Sequence, residues 1–156
     1  MAKFNPFEKF LTYEDREHVR VVNHLKLNYP DLIWTHAQNE GLKSAFEAYK
    51  TSIMGQRKGW PDFTIAHPKH SAIQKDASGE EYRNLLYLGL FIELKAPEHT
   101  RIVKSGKNAG KTAKSKGKVS EQQVDIIKRL NAMKYLALIC TGADEAIKAI
   151  DNYLKK

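Results

Sequence analysis

Residues 85–95 read "LLYLGLFIELK", an almost uninterrupted apolar run that closes on Glu93 and Lys95 just ahead of Pro97. A run of this kind, without polar alternation, is a strand covered on both faces, and such strands lie inside sheets with helices packed on either side. Successive strand residues point to opposite faces, so Glu93 and Lys95 stand side by side while Leu94 turns away. A charge there is costly unless it is paired, binds a metal or reaches solvent. Taken alone, the segment favours solvent: Pro97 stops the strand and the charges mark its exit.

The rest of the chain supplies the cover. The first helix is expected from Thr12 to Asn28, with Thr12 as N-cap and Asp15 where a capping box carries Glu or Gln. Glu14, His18, Val21, Val22 and Leu25 fall on one face of it, which turns Glu14 toward the core and leaves Glu17 on the flank beside Arg20 and His24. "DLIWTHAQ" is expected as a short strand, residues 42–54 as a helix punctuated by Gly55 and Gly59, and "PDFTIA" as a strand from Asp62. Residues 67–84 are polar and carry Pro and Gly, the composition of a surface loop between two paired strands.

Residues 98–119 are rich in Lys, Gly and Ser and hold no acid after Glu98, so they are expected to be a flexible basic insertion. Ser120 and Gln123 form an S-x-x-Q capping box that opens a helix to Met133. "KYLALICTG" is a buried strand, and residues 144–154 form a last amphipathic helix. The order points to one α/β domain over residues 1–156, a central sheet flanked by helices.

The 156 residues suffice for one domain with a real core. No apolar stretch approaches the roughly 20 residues of a membrane span, and "MAKFNPFEKFL" lacks an apolar signal core, so the expected compartment is the cytoplasm. Cys140 is the single cysteine, which excludes an internal disulfide and reads as a small buried residue in "YLALICTG". A net charge of +8 favours a polyanionic partner, nucleic acid or an anionic surface.

Three acids stand out: Glu14 on the inner face of the first helix, Asp62 opening a strand and Glu93 near the end of the next. If those strands pair, Asp62 and Glu93 converge at one sheet edge. Their mutual repulsion would be relieved by a hard divalent cation such as Mg²⁺, which takes one or two carboxylates together with phosphate and water oxygens. Lys95, on the face of Glu93, would then stabilise negative charge developing on a phosphate.

"GWPDF" followed by "FIELK" is similar to the PD-(D/E)XK nuclease pattern, with Asp62, Glu93 and Lys95 in the motif positions. More specifically, the chain resembles the VRR-NUC nucleases of the standalone phage or bacterial type. The stretches that carry this are "EDREHVRVVNHL", "WTHAQNEG", "GQRKGWPDFTI", "LGLFIELKAP", "KVSEQQ" and "TGADEAIKAIDNYL", in that order. The resemblance implies a restriction-endonuclease-like αβββαβ core and Mg²⁺- or Mn²⁺-dependent hydrolysis of DNA phosphodiesters. It makes Asp62, Glu93 and the Leu94 backbone carbonyl metal ligands, Lys95 the catalytic lysine, and Glu14 the helix-one glutamate and a candidate ligand of a second ion. Gln123 matches the motif glutamine, with Gln122 as the register alternative. The resemblance further implies a homodimer acting on branched DNA such as four-way junctions, in a host cytoplasm if the protein is phage-encoded. The long basic insertion and the loop at 67–84 depart from the compact pattern and bear on substrate preference.

Other residues have plainer readings beside the functional ones. Gln123 serves the capping box, a catalytic role, or both. His67, His70 and His99 lie in loops without metal-ligand spacing and read as surface residues, and His36 reads as packing, with facing DNA as the lesser alternative. Asn39 and Glu40 match the family's "NEG" and are candidates to line a DNA cleft, with a solvated turn as the alternative. Arg101, Lys104, Lys107, Lys111, Lys114, Lys116 and Lys118 are candidate phosphate contacts without base specificity. "GKNAGKT" is one residue short of a phosphate-binding P-loop and follows no apolar strand, so no nucleotide cofactor is expected. The competing functions are a nuclease or nickase indifferent to DNA structure, a restriction-like enzyme, and a basic DNA-binding module without catalysis.

Overall fold

The computed structural model describes residues 8–37, 44–103 and 105–155. A short 3₁₀ turn, Glu8–Phe10, precedes α1 (Tyr13–Asn28), β1 (Trp34–His36), α2 (Ala45–Ile53) and β2 (Phe63–Ile65). The strands β3 (Lys69–His70), β4 (Gln74–Lys75), β5 (Glu81–Tyr82), β6 (Leu85–Tyr87) and β7 (Leu90–Lys95) follow. Then come β8 (His99–Ile102), β9 (Thr112–Ser115), α3 (Glu121–Ala132), β10 (Leu136–Thr141) and α4 (Ala143–Leu154).

The central sheet has four strands in the order β1-β2-β7-β10. β2 pairs antiparallel with β1 and with β7, whereas β10 runs parallel to β7 after the crossover through α3. This is the mixed α/β, restriction-endonuclease-like core expected, with α1, three sheet strands, α3 and β10 in αβββαβ order.

β7 is buried at every position, as a doubly covered strand must be. Its alternation sorts the two layers. Leu90, Ile92 and Leu94 pack with Val21, Leu25, Ala146 and Ile150 of α1 and α4. Phe91 faces the other way, onto Ile126 and Leu130 of α3 and Ala137 of β10.

Both expected capping boxes form. In α1 the Thr12 hydroxyl accepts from the Asp15 N–H at 3.1 Å, and Asp15 accepts from the Thr12 N–H at 2.7 Å, so the shorter acid closes the box. In α3 Ser120 and Gln123 make the same reciprocal pair.

Four expectations need correction. The segment 98–119 is not wholly without regular structure: among the described residues β8 and β9 pair antiparallel from His99↔Ser115 to Ile102↔Thr112 as a β-hairpin. Residues 67–84 hold the short strands β3, β4 and β5 rather than a plain loop. The run from 85 to 95 is split at Gly89, because β6 leaves to pair with β3 while β7 stays in the central sheet.

The fourth concerns α1, whose flank is covered by α4. Glu17 is 7% exposed, and its carboxylate accepts from the Ala143 N–H at 2.6 Å, at the first turn of α4. Arg20 pairs with Glu17 and with Asp144, and His24 meets Asp151 at 2.7 Å. At the other end of α4, the Lys69 ammonium donates to the carbonyls of Asn152, Tyr153 and Lys155. An anion at the N-terminus and a cation at the C-terminus complement the helix dipole.

The outer side of β10 is met by side chains. Asn131 accepts from the Ala137 N–H and donates to the Ala137 carbonyl, each at 3.0 Å, and Glu145 accepts from the Thr141 N–H at 2.7 Å.

Candidate active site

The site forms where the antiparallel pairing of β2 and β7 runs out. Phe63 lies opposite Ile92, so one further step in register sets Asp62 opposite Glu93. The Asp62 carboxylate takes over the ladder there, accepting from the Leu94 N–H at 2.7 Å. Asp62 is thus fixed by backbone and is 6% exposed.

Glu93 and Lys95 project from β7 toward the α3 layer, on the face of Phe91. They do not reach solvent at the strand end, for Glu93 is 1% and Lys95 6% exposed. The Lys95 ammonium lies 2.7 Å from Glu93 Oε1, and the Gln123 amide donates to that same oxygen. Gln123 closes the capping box and contacts Glu93 at the same time. Its Oε1 accepts from the Ser120 N–H at 2.8 Å and the Ser120 hydroxyl at 3.1 Å, which leaves the NH₂ end to face Glu93.

Gly59 brings the "GWPD" loop and α3 together. Its backbone is left-handed (φ +78), and a Cβ there would sit 3.0 Å from backbone atoms of Gln122 and Gln123. Only glycine meets both demands without strain.

Glu14 is half-buried in the first turn of α1. His18, one turn further along the same face, places Nε2 3.7 Å from Asp62 Oδ2. His18 packs edge-on against His36 at 4.8 Å, and His36 stacks on Phe63 at 4.7 Å. His36 is a packing residue, as its place in the strand suggested. His18 was not singled out from sequence as a site residue. Its position four residues after Glu14 was the available signal.

The basic residues Arg101, Lys107, Lys111, Lys114, Lys116 and Lys118 are exposed on the hairpin and on the segment leading from it to α3. Lys114 is engaged with Glu98 at 2.9 Å. His99 is not a free surface residue, because its ring stacks on Tyr13 at 4.2 Å, tying the start of the hairpin to the start of α1. Asn39, Glu40 and Lys104 lie outside the described residues. Cys140 is buried as expected, and burial pushes its thiol up to about 12, which removes it from chemistry.

Among the described residues, no group of three or more His, Cys, Asp or Glu side chains is arranged to hold a metal unaided. No helix among them is long and apolar enough to cross a membrane.

No protein-family model matches the chain, and no curated protein does. Among solved structures it is similar to a VRR_NUC domain protein, with 22% identity and a TM-score of 0.56 over 92% of this chain and 89% of that one. The likeness spans most of both chains, so the fold is VRR-NUC-like.

Proposed function

We propose that the chain is a metal-dependent DNA endonuclease. One observation carries this: Glu93 and Lys95 are buried in contact at the end of β7, beside Gln123 and opposite an Asp62 held by backbone. A buried ion pair is a poor way to stabilise a fold. Carboxylates and a lysine gathered where a strand pairing ends are the parts phosphodiester hydrolysis needs.

The donor set fits a hard divalent cation, Mg²⁺ or Mn²⁺. Asp62 and Glu93 offer carboxylate oxygens, and phosphate and water complete such a shell. The Leu94 carbonyl leaves β7 on the same edge as its N–H, the edge occupied by Asp62, and would join them. Glu14 is the candidate for a second ion. A cation held by Asp62 and Glu93 would supply Lewis-acid chemistry, polarising the phosphate and lowering the pKa of a bound water.

The protein's own groups do the rest. Lys95 brings a positive charge to the place where negative charge builds on the phosphoryl oxygens. Gln123 orients the Glu93 carboxylate, Leu94 orients Asp62, and the basic hairpin holds phosphates flanking the scissile one without reading bases. Asn39 and Glu40 are proposed to line the same cleft. The finer reading is a cytoplasmic, phage- or bacterial-type homodimer that selects branched duplexes such as four-way junctions.

The test is cleavage of labelled four-way junction, flap, nicked, single-stranded and linear duplex DNA with Mg²⁺, with Mn²⁺ and with chelator. Metal-dependent cutting that favours the junction supports the whole reading. Equal cutting of every duplex leaves a nuclease without structure preference. Tight binding with no cutting under any metal overturns the enzymatic reading.

A further inference from the structure

The segment returning from the hairpin to α3 crosses the end of β7 at Gly117, whose N–H donates to the Ala96 carbonyl at 3.0 Å. A Cβ built on Gly117 would lie 2.8 Å from the Ala96 nitrogen, 3.0 Å from the Lys95 Cβ and 3.2 Å from the Ala96 oxygen. Two of these are backbone atoms at the buried end of the central strand, where packing leaves no slack. The Gly117 backbone is not left-handed, so space and not conformation demands the glycine. The first hairpin strand is rooted nearby, with His99 stacked on Tyr13, the neighbour of Glu14.

We propose that Gly117 is a positioning residue for Lys95. Its missing side chain lets the root of the basic hairpin seat against the lysine stem and hold the ammonium on Glu93. This rests on the nuclease reading of the site. The four-carbon lysine stem is flexible and must be confined from outside to present a fixed charge. β7 fixes the root of that stem, and the Gly117 backbone passes close beside its first carbon, the Lys95 Cβ. The close approach that seats the hairpin is therefore also the one that sets where the lysine starts from.

The test compares Gly117→Ala with Gly110→Ala, which strains the left-handed hairpin turn (φ +82) but whose Cβ meets nothing within 4 Å, and so controls for hairpin strain without crowding Lys95. Gly117→Ala should lower turnover at saturating DNA roughly 10- to 100-fold, the scale of an ångström's misplacement. Metal-free DNA affinity and its salt dependence should stay at parent values, and Gly110→Ala should keep parent turnover. A third variant, with one extra glycine after Gly117, loosens the root without crowding it and should show the same split if the alanine variant does not fold. Adding Gly117→Ala to Lys95→Ala should cost nothing further, since the effect runs through Lys95. Parent-like turnover in either folded Gly117 variant, an equal loss in Gly110→Ala, or additivity with Lys95→Ala overturns the proposal. Failure of the nuclease reading shows differently, as a parent protein that cuts no DNA with any metal.

Discussion

Gln123, on the first turn of α3, donates its side-chain amide to the Glu93 carboxylate at the end of β7, and its other end closes the capping box with Ser120. Gln123→Glu separates the two duties. Glu is a standard capping-box residue, so the helix start survives. The second oxygen, however, now faces the Glu93 carboxylate as a like charge. Melting should stay near the parent value while turnover falls roughly 10- to 100-fold, the usual cost of losing a partner that orients a ligand. Parent-like turnover would reduce Gln123 to a cap.

Glu93 and Lys95 offer a sharper contrast between fold and function. Replacing a buried ion pair by apolar residues of similar volume is often neutral or stabilising by about 1–4 kcal/mol. Glu93→Leu with Lys95→Met should therefore melt at or above the parent temperature and cut no DNA. Single Glu93→Gln and Asp62→Asn should also abolish cutting while metal-free DNA binding persists, and Lys95→Ala should lower turnover more than affinity. A double variant that is unfolded by circular dichroism would mean the pair is structural.

Two glutamates three residues apart in α1 should separate by readout. Glu17 caps α4 from a buried position, so Glu17→Ala strands the Ala143 N–H and should cost about 2 kcal/mol of stability. Cleavage well below the transition should be kept. Glu14→Gln should do the opposite, cutting turnover strongly with little change in denaturation midpoint. Denaturant melts and turnover on the same preparations decide it.

The hairpin predicts a salt signature. Lys107→Gln, Lys111→Gln and Lys116→Gln together should flatten the slope of log K against log salt by roughly three units, about 0.9 per phosphate contact. Lys114, already engaged with Glu98, should contribute less than any of these. An unchanged slope in the triple variant would show that the hairpin does not touch DNA.

A pH effect follows from His36. Burial, with the neighbouring His18 adding to it, holds its pKa below the ordinary 6.5, against a smaller opposing pull from Asp62. The unfolded chain then binds a proton more readily than the folded one, so this contribution to stability is present above about pH 6.5 and erodes as pH falls toward the lower folded value. His36→Phe keeps a ring on Phe63 and cannot titrate. The gap in melting temperature between variant and parent should shift in favour of the variant on going from about pH 7.5 to about pH 5.5. A gap that does not move with pH would remove His36 as the cause.

Much of this architecture was legible because the signals were strong and local. The unbroken apolar run of β7 demanded cover on both faces, and helical spacing with S-x-x-Q and T-x-x-D starts located α1 and α3. Asp62, Glu93 and Lys95 were legible as a set because strand periodicity put two of them on one face. The hairpin was not, since β8 and β9 are short, polar and exposed, and carry no hydrophobic alternation. Glu17 was missed for a different reason: a lone acid at the edge of an apolar stripe is normally solvated, and only the arrival of α4 turns that edge into an interface. His18 needed the third dimension, because its neighbour Asp62 is 44 positions away in the chain.

The side chains that meet the outer side of β10 have a further consequence. β10 is an outermost strand of the central sheet, and a bare strand edge is a template on which another chain can add and polymerise. Asn131 occupies both ladder positions of Ala137, and Glu145 takes the N–H of Thr141, so an incoming strand would meet a blocked register at each end of "LALICT". Asn131→Ala and Glu145→Ala together should leave the site intact yet make the protein prone to fibrillar aggregation on storage. The two residues act as guards against self-templating.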